Sequence, residues 1–387
     1  MKHQQDTGAT RREPWPRKLV ASLCAVGLAL LSVPLGVFHA PQIAEAAGVP
    51  ILASADSWYK GTTARQVITS VTIANSYSPT GTVTEQWDAS EAQDGSITAY
   101  VLSDSSLVLA GNGSGGIKAN ENSVQAFYNF INATSISGLD VIDATGIKSM
   151  HGMFTNCKKV QSLDLSSWNT PNLGVFDGSE TYPKANDMRN TFENCAALES
   201  IDVSGLDVSN VSTMSYLFSG CEKLKSIDLS SWDTTSLKNA DWMFSGCAAL
   251  TTVKGMTGWA SGGNLAKVDH LFYNCTSLPS VDLSGWTTGA CTDMNRMFYL
   301  DTALASVDFT GWDTSSCTDF QMMFYECPTL NNLDLSGFDT SSASSLNYFA
   351  YNCHSLTNII LGPNFGNASI AAAGWVYSGA AFLDSLT

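Results

Sequence analysis

The chain has 387 residues, with 19 Lys and Arg against 35 Asp and Glu and a formal charge of −16. Residues 1–46 hold five of the basic and three of the acidic side chains, which leaves 14 against 32 and a charge of −18 beyond them. That balance disfavours nucleic acid and anionic lipid as partners and mildly favours a basic partner or a divalent cation.

The first 46 residues read as a removable export segment. Arg17 and Lys18 form a basic flank, Leu19 to Phe38 is an almost wholly apolar run, and Ala44-Glu45-Ala46 offers a small-x-small cleavage site with the cut after Ala46. Three other readings stay open: Arg11-Arg12 as a twin-arginine signal, lipidation at Cys24, and retention of the run as an anchor near the ~20 residues a span needs.

Residues 47–120 are not repetitive and predict a small β-rich N-terminal cap. Val67, Thr69, Val71 and Ile73 alternate, as do Ile97, Ala99 and Val101, and Asn112 to Gly116 is a turn cluster. Such a cap covers the core edge that the first of a stack of repeats leaves open. Ser123 to Phe130 predicts a degenerate first helix.

Repeats fill the rest of 121–361. A marker Phe stands at 154, 192, 218, 244, 272, 298 and 324, with Ala350 in the same slot, and the gaps are 38, 26, 26, 28, 26, 26 and 26. A period near 26 with fixed apolar columns points to a solenoid. Cys follows the marker by three residues in seven of eight repeats, Asp301 being the exception, and Leu or Val follows by six. Apolar residues also precede it by four (Met214, Met294) and by seven (Val211, Leu237). These offsets fit one side of a short helix, capped by a segment such as Asp313-Thr314-Ser315. Alternation then predicts a strand at Ile227-Asp228-Leu229, Val281-Asp282-Leu283 and Leu333-Asp334-Leu335. The expected fold class is α/β: a curved right-handed leucine-rich-repeat solenoid of about eight strand–helix coils, its strands on the concave side because helices are wider.

The pattern MF-x-x-C-x-x-L-x-x-LDLS-x-WDTS-x-V-x-x-M resembles the 26-residue repeat of BspA-like leucine-rich-repeat bacterial surface proteins, over roughly Ile147 to Leu361. The resemblance implies a secreted or cell-surface protein that acts in adhesion and host interaction. It brings no catalytic motif.

Among candidate residues, Asp164, Asp202, Asp228, Asp282, Asp308 and Asp334 recur at one outward strand position and predict an acidic ladder. Hydrogen bonding to neighbouring hydroxyls offsets the repulsion in one reading; a bound cation or basic ligand does so in the other. Lys254 interrupts the ladder, so Asp282, Asp308 and Asp334 are the sharper candidate site. A second lies in the 12 extra residues within Pro171 to Ala185, which carry Phe176 and Tyr182, since insertions often fall on a binding face. Trp168, Trp232, Trp286, Trp312 and Phe338 form a column that either plugs a corner of the core or stacks on sugars. Apart from Cys24, the cysteines read as buried thiols, with one or two bridges open; spacing of 26 does not suit a zinc site. His151, His270 and His354 show no neighbouring acid at triad or metal spacing, so no enzyme, cofactor or metal is expected. Expected partners are a protein or a glycan, with no nucleic acid and no membrane insertion of the mature chain; carbohydrate binding through the aromatic column or inserted loop is the alternative. Residues 362–387, with Phe365, Trp375 and Phe382, predict a C-terminal cap or tail without a sorting motif.

Overall fold

The computed structural model describes residues 49–176, 178 and 187–366. All of them belong to the unit Ala47–Thr387. The export segment expected at 1–46, Tyr182 of the inserted loop, and the expected tail beyond Gly366 lie outside the described residues.

The chain opens with one helical turn, Ala55–Trp58, and then builds β1 (Ser70–Ala74), β2 (Val83–Asp88), β3 (Ile97–Leu102), β4 (Ser106–Gly111), β5 (Ile117–Lys118), β6 (Ile136–Ser137) and β7 (Ile142–Asp143). Strands β2, β3, β4, β1 and β6 form a five-stranded sheet in that order. The β2–β3 and β3–β4 pairs are antiparallel; β1 pairs parallel with both β4 and β6. The period-two pattern explains the sheet: Ile97, Ala99 and Val101 are buried and Thr98, Tyr100 and Leu102 half-buried. Strand β5 pairs with β7, Ile117 opposite Ile142, so the sheet's chain runs directly into the repeats.

Each repeat contributes one short strand: β8 (Ser162–Asp164), β9 (Ser200–Asp202), β10 (Ser226–Asp228), β11 (Thr252–Lys254), β12 (Ser280–Asp282), β13 (Ser306–Asp308), β14 (Asn332–Leu335) and β15 (Asn358–Leu361). They pair parallel and in register as β8–β9, β10–β11, β12–β13 and β14–β15, giving small two-stranded sheets rather than one continuous sheet. Across the repeat a second line of parallel bridges joins Thr213, Asn239, Lys267, Asp293, Asp319 and Ser345, each five residues before its marker.

The expected strand–helix coil is corrected here: apart from the single 3-10 turn Leu139–Val141, the described repeats contain no helix. The segment read as a helix is a run of turns, and its backbone bonds sideways. Met214, Tyr216, Phe218 and Gly220 donate their N–H groups to the carbonyls of Asn239, Asp241, Met243 and Ser245 of the next repeat at 2.7–3.0 Å. Alternate groups close three-residue turns, Leu217 to Met214 at 3.1 Å and Cys221 to Phe218 at 3.0 Å. An α-helix is excluded because two positions per repeat are left-handed. Two residues before the marker, Tyr216, Trp242 and His270 have φ of 57°, 57° and 56°; two after it, Asn194, Gly220 and Asn274 have φ of 58°, 73° and 60°. Asp313 caps no helix either: its Oδ1 accepts from Ser315 N–H at 3.0 Å in a local turn. The expected curvature rested on helices wider than strands, and no helix is there to widen one side.

The core is a set of columns. Phe127, Phe154, Phe192, Phe218, Phe244, Phe272, Phe298 and Phe324 are fully buried. Neighbouring rings stack 5.3–5.6 Å apart. Phe127 shows that the stack starts one repeat earlier than Phe154, where a degenerate helix was expected. Cysteine follows because the site wants a small donor. The thiols of Cys157, Cys195, Cys221, Cys247, Cys275, Cys327 and Cys353 each donate to the carbonyl of the preceding marker Phe at 2.9–3.3 Å. All nine described cysteines are free and buried.

Candidate binding surfaces

The strand face presents the acidic ladder. Burial alternates along the strands, so Ser280 and Asp282 point outward around buried Val281, and Asn332 and Asp334 around Leu333. Register places Asp282 opposite Asp308 and Asp164 opposite Asp202. Asp282, Asp308 and Asp334 line one groove of about 670 Å³ with Ser280, Ser306 and Ser336. Asp164, Asp202 and Asp228 line an equivalent groove of about 610 Å³, a second triplet to which the sequence reading gave less weight. Lys254, opposite Asp228, separates the two.

Local hydrogen bonds offset the like charge. Asp282 Oδ1 accepts from Ser284 N–H at 2.9 Å, Asp308 Oδ1 from Thr310 N–H at 2.8 Å, and Asp334 Oδ1 from Ser336 N–H at 2.9 Å. The hydroxyl and N–H of Ser284 hold the Asp282 carboxyl below the usual carboxylate range, and Ser336 does the same for Asp334. Charge is therefore favoured at Asp282 and Asp334, two exposed carboxylates held by local hydrogen bonds. No group of three or more His, Cys, Asp or Glu among the described residues is arranged to hold a metal ion.

Phe176 is half-buried and is not among the residues lining the two grooves just described. The tryptophan column is core: Trp168, Trp232, Trp286 and Trp312 are 1–7% exposed. All four send the indole N–H to a carbonyl of the preceding repeat, Trp168 to Leu139, Trp232 to Val203, Trp286 to Met256 and Trp312 to Leu283. Trp259, in the 28-residue repeat, fills the same column between Trp232 and Trp286 and bonds its own Gly255 at 2.6 Å. Gly255 itself is required there: φ is +79°, and a Cβ would lie 2.3 Å from Ser230 N.

A second aromatic row, on the turn face, was not anticipated. Tyr216 stacks on Trp242 at 5.6 Å and Trp242 on His270 at 3.8 Å. Tyr273, Tyr299, Tyr325 and Tyr351 continue at 4.9, 4.7 and 5.0 Å. All are half-buried. The signal was present in the sequence: four consecutive repeats carry Tyr directly after the marker. Asp269 Oδ2 lies 3.0 Å from His270 Nδ1, so one histidine does have an acidic neighbour. Arg189 covers Tyr216 at 5.8 Å from the ring centre.

No helix among the described residues is long and apolar enough to cross a membrane. No curated protein matches the chain. A solved structure of a leucine rich cell surface protein from Faecalibacterium prausnitzii is 13% identical, with 72% of this chain and 96% of that one covered and a TM-score of 0.24. Likeness at that level carries neither fold nor function across. The family described as "Mycoplasma protein of unknown function, DUF285" matches residues 179–261 and 266–382, together more than half of the 387 residues. The chain therefore belongs to the family of Mycoplasma proteins of unknown function, DUF285.

Proposed function

We propose that the chain is an exported surface or secreted interaction protein, adhesin-like, that binds a host or cell-envelope macromolecule without catalysis. The observation that carries the reading is the exposed carboxylate row of Asp282, Asp308 and Asp334 in one groove, each held by the backbone N–H two residues on. A regular row of fixed charge selects a partner with complementary basic groups more than it supports bond-making chemistry, which needs groups of unlike function converging on one atom. Export is supported by Arg17, Lys18, the apolar run to Phe38 and the Ala44-Glu45-Ala46 site. Sugar stacking on the tryptophan column is not part of the proposal, since those rings are buried.

The test is a binding screen of the full chain against extracellular-matrix proteins and glycans, repeated with Asp282→Asn, Asp308→Asn and Asp334→Asn combined. Asparagine keeps size and hydrogen bonding and removes charge. A hit weakened at least tenfold by the triple change, and by added salt, supports the reading. A hit indifferent to both places the binding face elsewhere, and cell fractionation that leaves the chain in the cytoplasm refutes export.

A further inference from the structure

We propose that Asp301 is a pH-sensitive latch within the stack: while it holds its proton the repeats form one unit, and as pH rises the repeats from Phe298 onward part from those before them. The latch lies beneath the acidic groove and acts whatever the groove binds.

The position and surroundings of the carboxyl make it one. Asp301 is fully buried. Its Oδ1 accepts from the N–H of Cys275 in the preceding repeat at 2.7 Å, and its Oδ2 has no partner among the described residues. The side chain therefore lies in the joint between the repeats of Phe272 and Phe298. The titratable groups that face it are the thiols of Cys275 and Cys327, which burial keeps protonated. No charged side chain offsets an ionised form: burial raises the pKa of the carboxyl and the Cys275 N–H alone opposes it. Residues 297–387 contain no Lys or Arg.

An ionised carboxylate there must be hydrated, and water reaches it only when the joint opens. In a stack of repeats, stability is a sum of terms between neighbours, so the cost falls on this joint. Because burial raises the pKa in the closed state, the latch is fully closed below the ordinary carboxylate value. Above that value the opening constant grows by up to about tenfold per pH unit. Phe309 keeps the far side together: its ring meets Phe298, Trp312, Phe324 and Phe338 edge-on at 4.9–6.2 Å, all beyond the joint. Parting breaks Phe272 N–H to Met297 O at 2.9 Å and Asn274 N–H to Tyr299 O at 2.7 Å. It also takes β12 from β13, and with them Asp282 from Asp308, so the groove is whole only while the latch is closed.

Hydrogen exchange of the full chain, read as protection factors near pH 5 and near pH 8, tests this. We expect the opening constant at Phe272, Asn274 and Phe298 to rise at least about tenfold between the two, relative to Phe218 and Gly220 in the earlier repeats. Asp301→Asn and Asp301→Cys each remove the buried ionisation and should hold the rise below about threefold. No rise in the natural chain overturns the proposal, as does an equal rise at Phe218 and Gly220. So does a rise above about threefold in whichever variant folds.

Discussion

Replacing Asp301 by Cys should stabilise the protein at neutral pH and do little in acid. Asp301 occupies the column that holds Cys in seven other repeats and is fully buried. Its Oδ1 accepts from Cys275 N–H at 2.7 Å, and its Oδ2 has no partner among the described residues. Burial pushes the carboxyl well above its ordinary range, against the smaller opposing effect of the Cys275 N–H. The native chain then keeps a proton that the unfolded chain releases near pH 4. For a folded value raised above the unfolded one, the contribution is fully present below the unfolded pKa and is lost as pH rises. Each unit of pH spent between the two values costs about 1.4 kcal/mol, so the cost at pH 7 has a ceiling of about 4 kcal/mol. A thiol carries no such cost, and the seven equivalents show that it finds the preceding Phe carbonyl. We expect Asp301→Cys to raise the free energy of unfolding at pH 7, by no more than about 4 kcal/mol, and by clearly less near pH 4. Urea titrations at several pH values, compared at constant m, measure it. A gain of the same size at every pH, or a loss at pH 7, would refute the protonation account.

Phe244→Ala and Phe298→Ala should each cost about 3–5 kcal/mol in the same assay, because both rings are fully buried between two others, while exposed Ser280→Ala should cost under about 0.5 kcal/mol. Burial pushes the thiol of Cys195 up to about 12 and that of Cys291 to about 12, so thiol reagents should label these two only after denaturation; rapid labelling of the native chain would contradict the packing. Leu300→Gly should be neutral or stabilising by up to about 1 kcal/mol despite lying beside the core, since φ there is 64°, and a loss above about 2 kcal/mol would count against the left-handed turn. Because Ser284 and Ser336 hold Asp282 and Asp334 low, their contribution is present above the ordinary carboxylate pKa and falls away as pH drops through the lowered values; Asp334→Asn should therefore flatten the acid limb of the stability profile.

The marker column, the thiol column and the outward aspartates were legible because each rests on a fixed spacing and an alternation that burial then obeys. The helix was misread because a three-residue offset is shared by an α-helix and by a chain of three-residue turns. What separates them is φ two residues after the marker, and that column reads Asn156, Asn194, Gly220, Gly246, Asn274 and Asn352, residues that accept a left-handed backbone. Leu300 and Glu326 take it too, as do Tyr216 and Trp242 on the other side, and nothing in those side chains announces it. Their conformation comes from bonding to the next repeat, a non-local cause that no local pattern carries. The tyrosine row was visible as a column, but only stacking across repeats shows that its members touch.

The join between the repeats of Phe154 and Phe192 shows where such a protein can be lengthened. Twelve extra residues separate these markers, yet Phe154 N–H still reaches Thr191 O at 2.8 Å and the two rings stack at 5.6 Å. Ser162 still faces Ser200 across the strands. Gly174 N–H donates to Lys148 O at 3.0 Å before the extra residues and Met150 N–H to Asp187 O at 2.7 Å after them, so the bonding of the stack is made on both sides of the insertion. An epitope or a small domain grafted between residues 176 and 187 should be displayed on an otherwise unaltered stack, making this corner a port through which selection or an engineer can add a function.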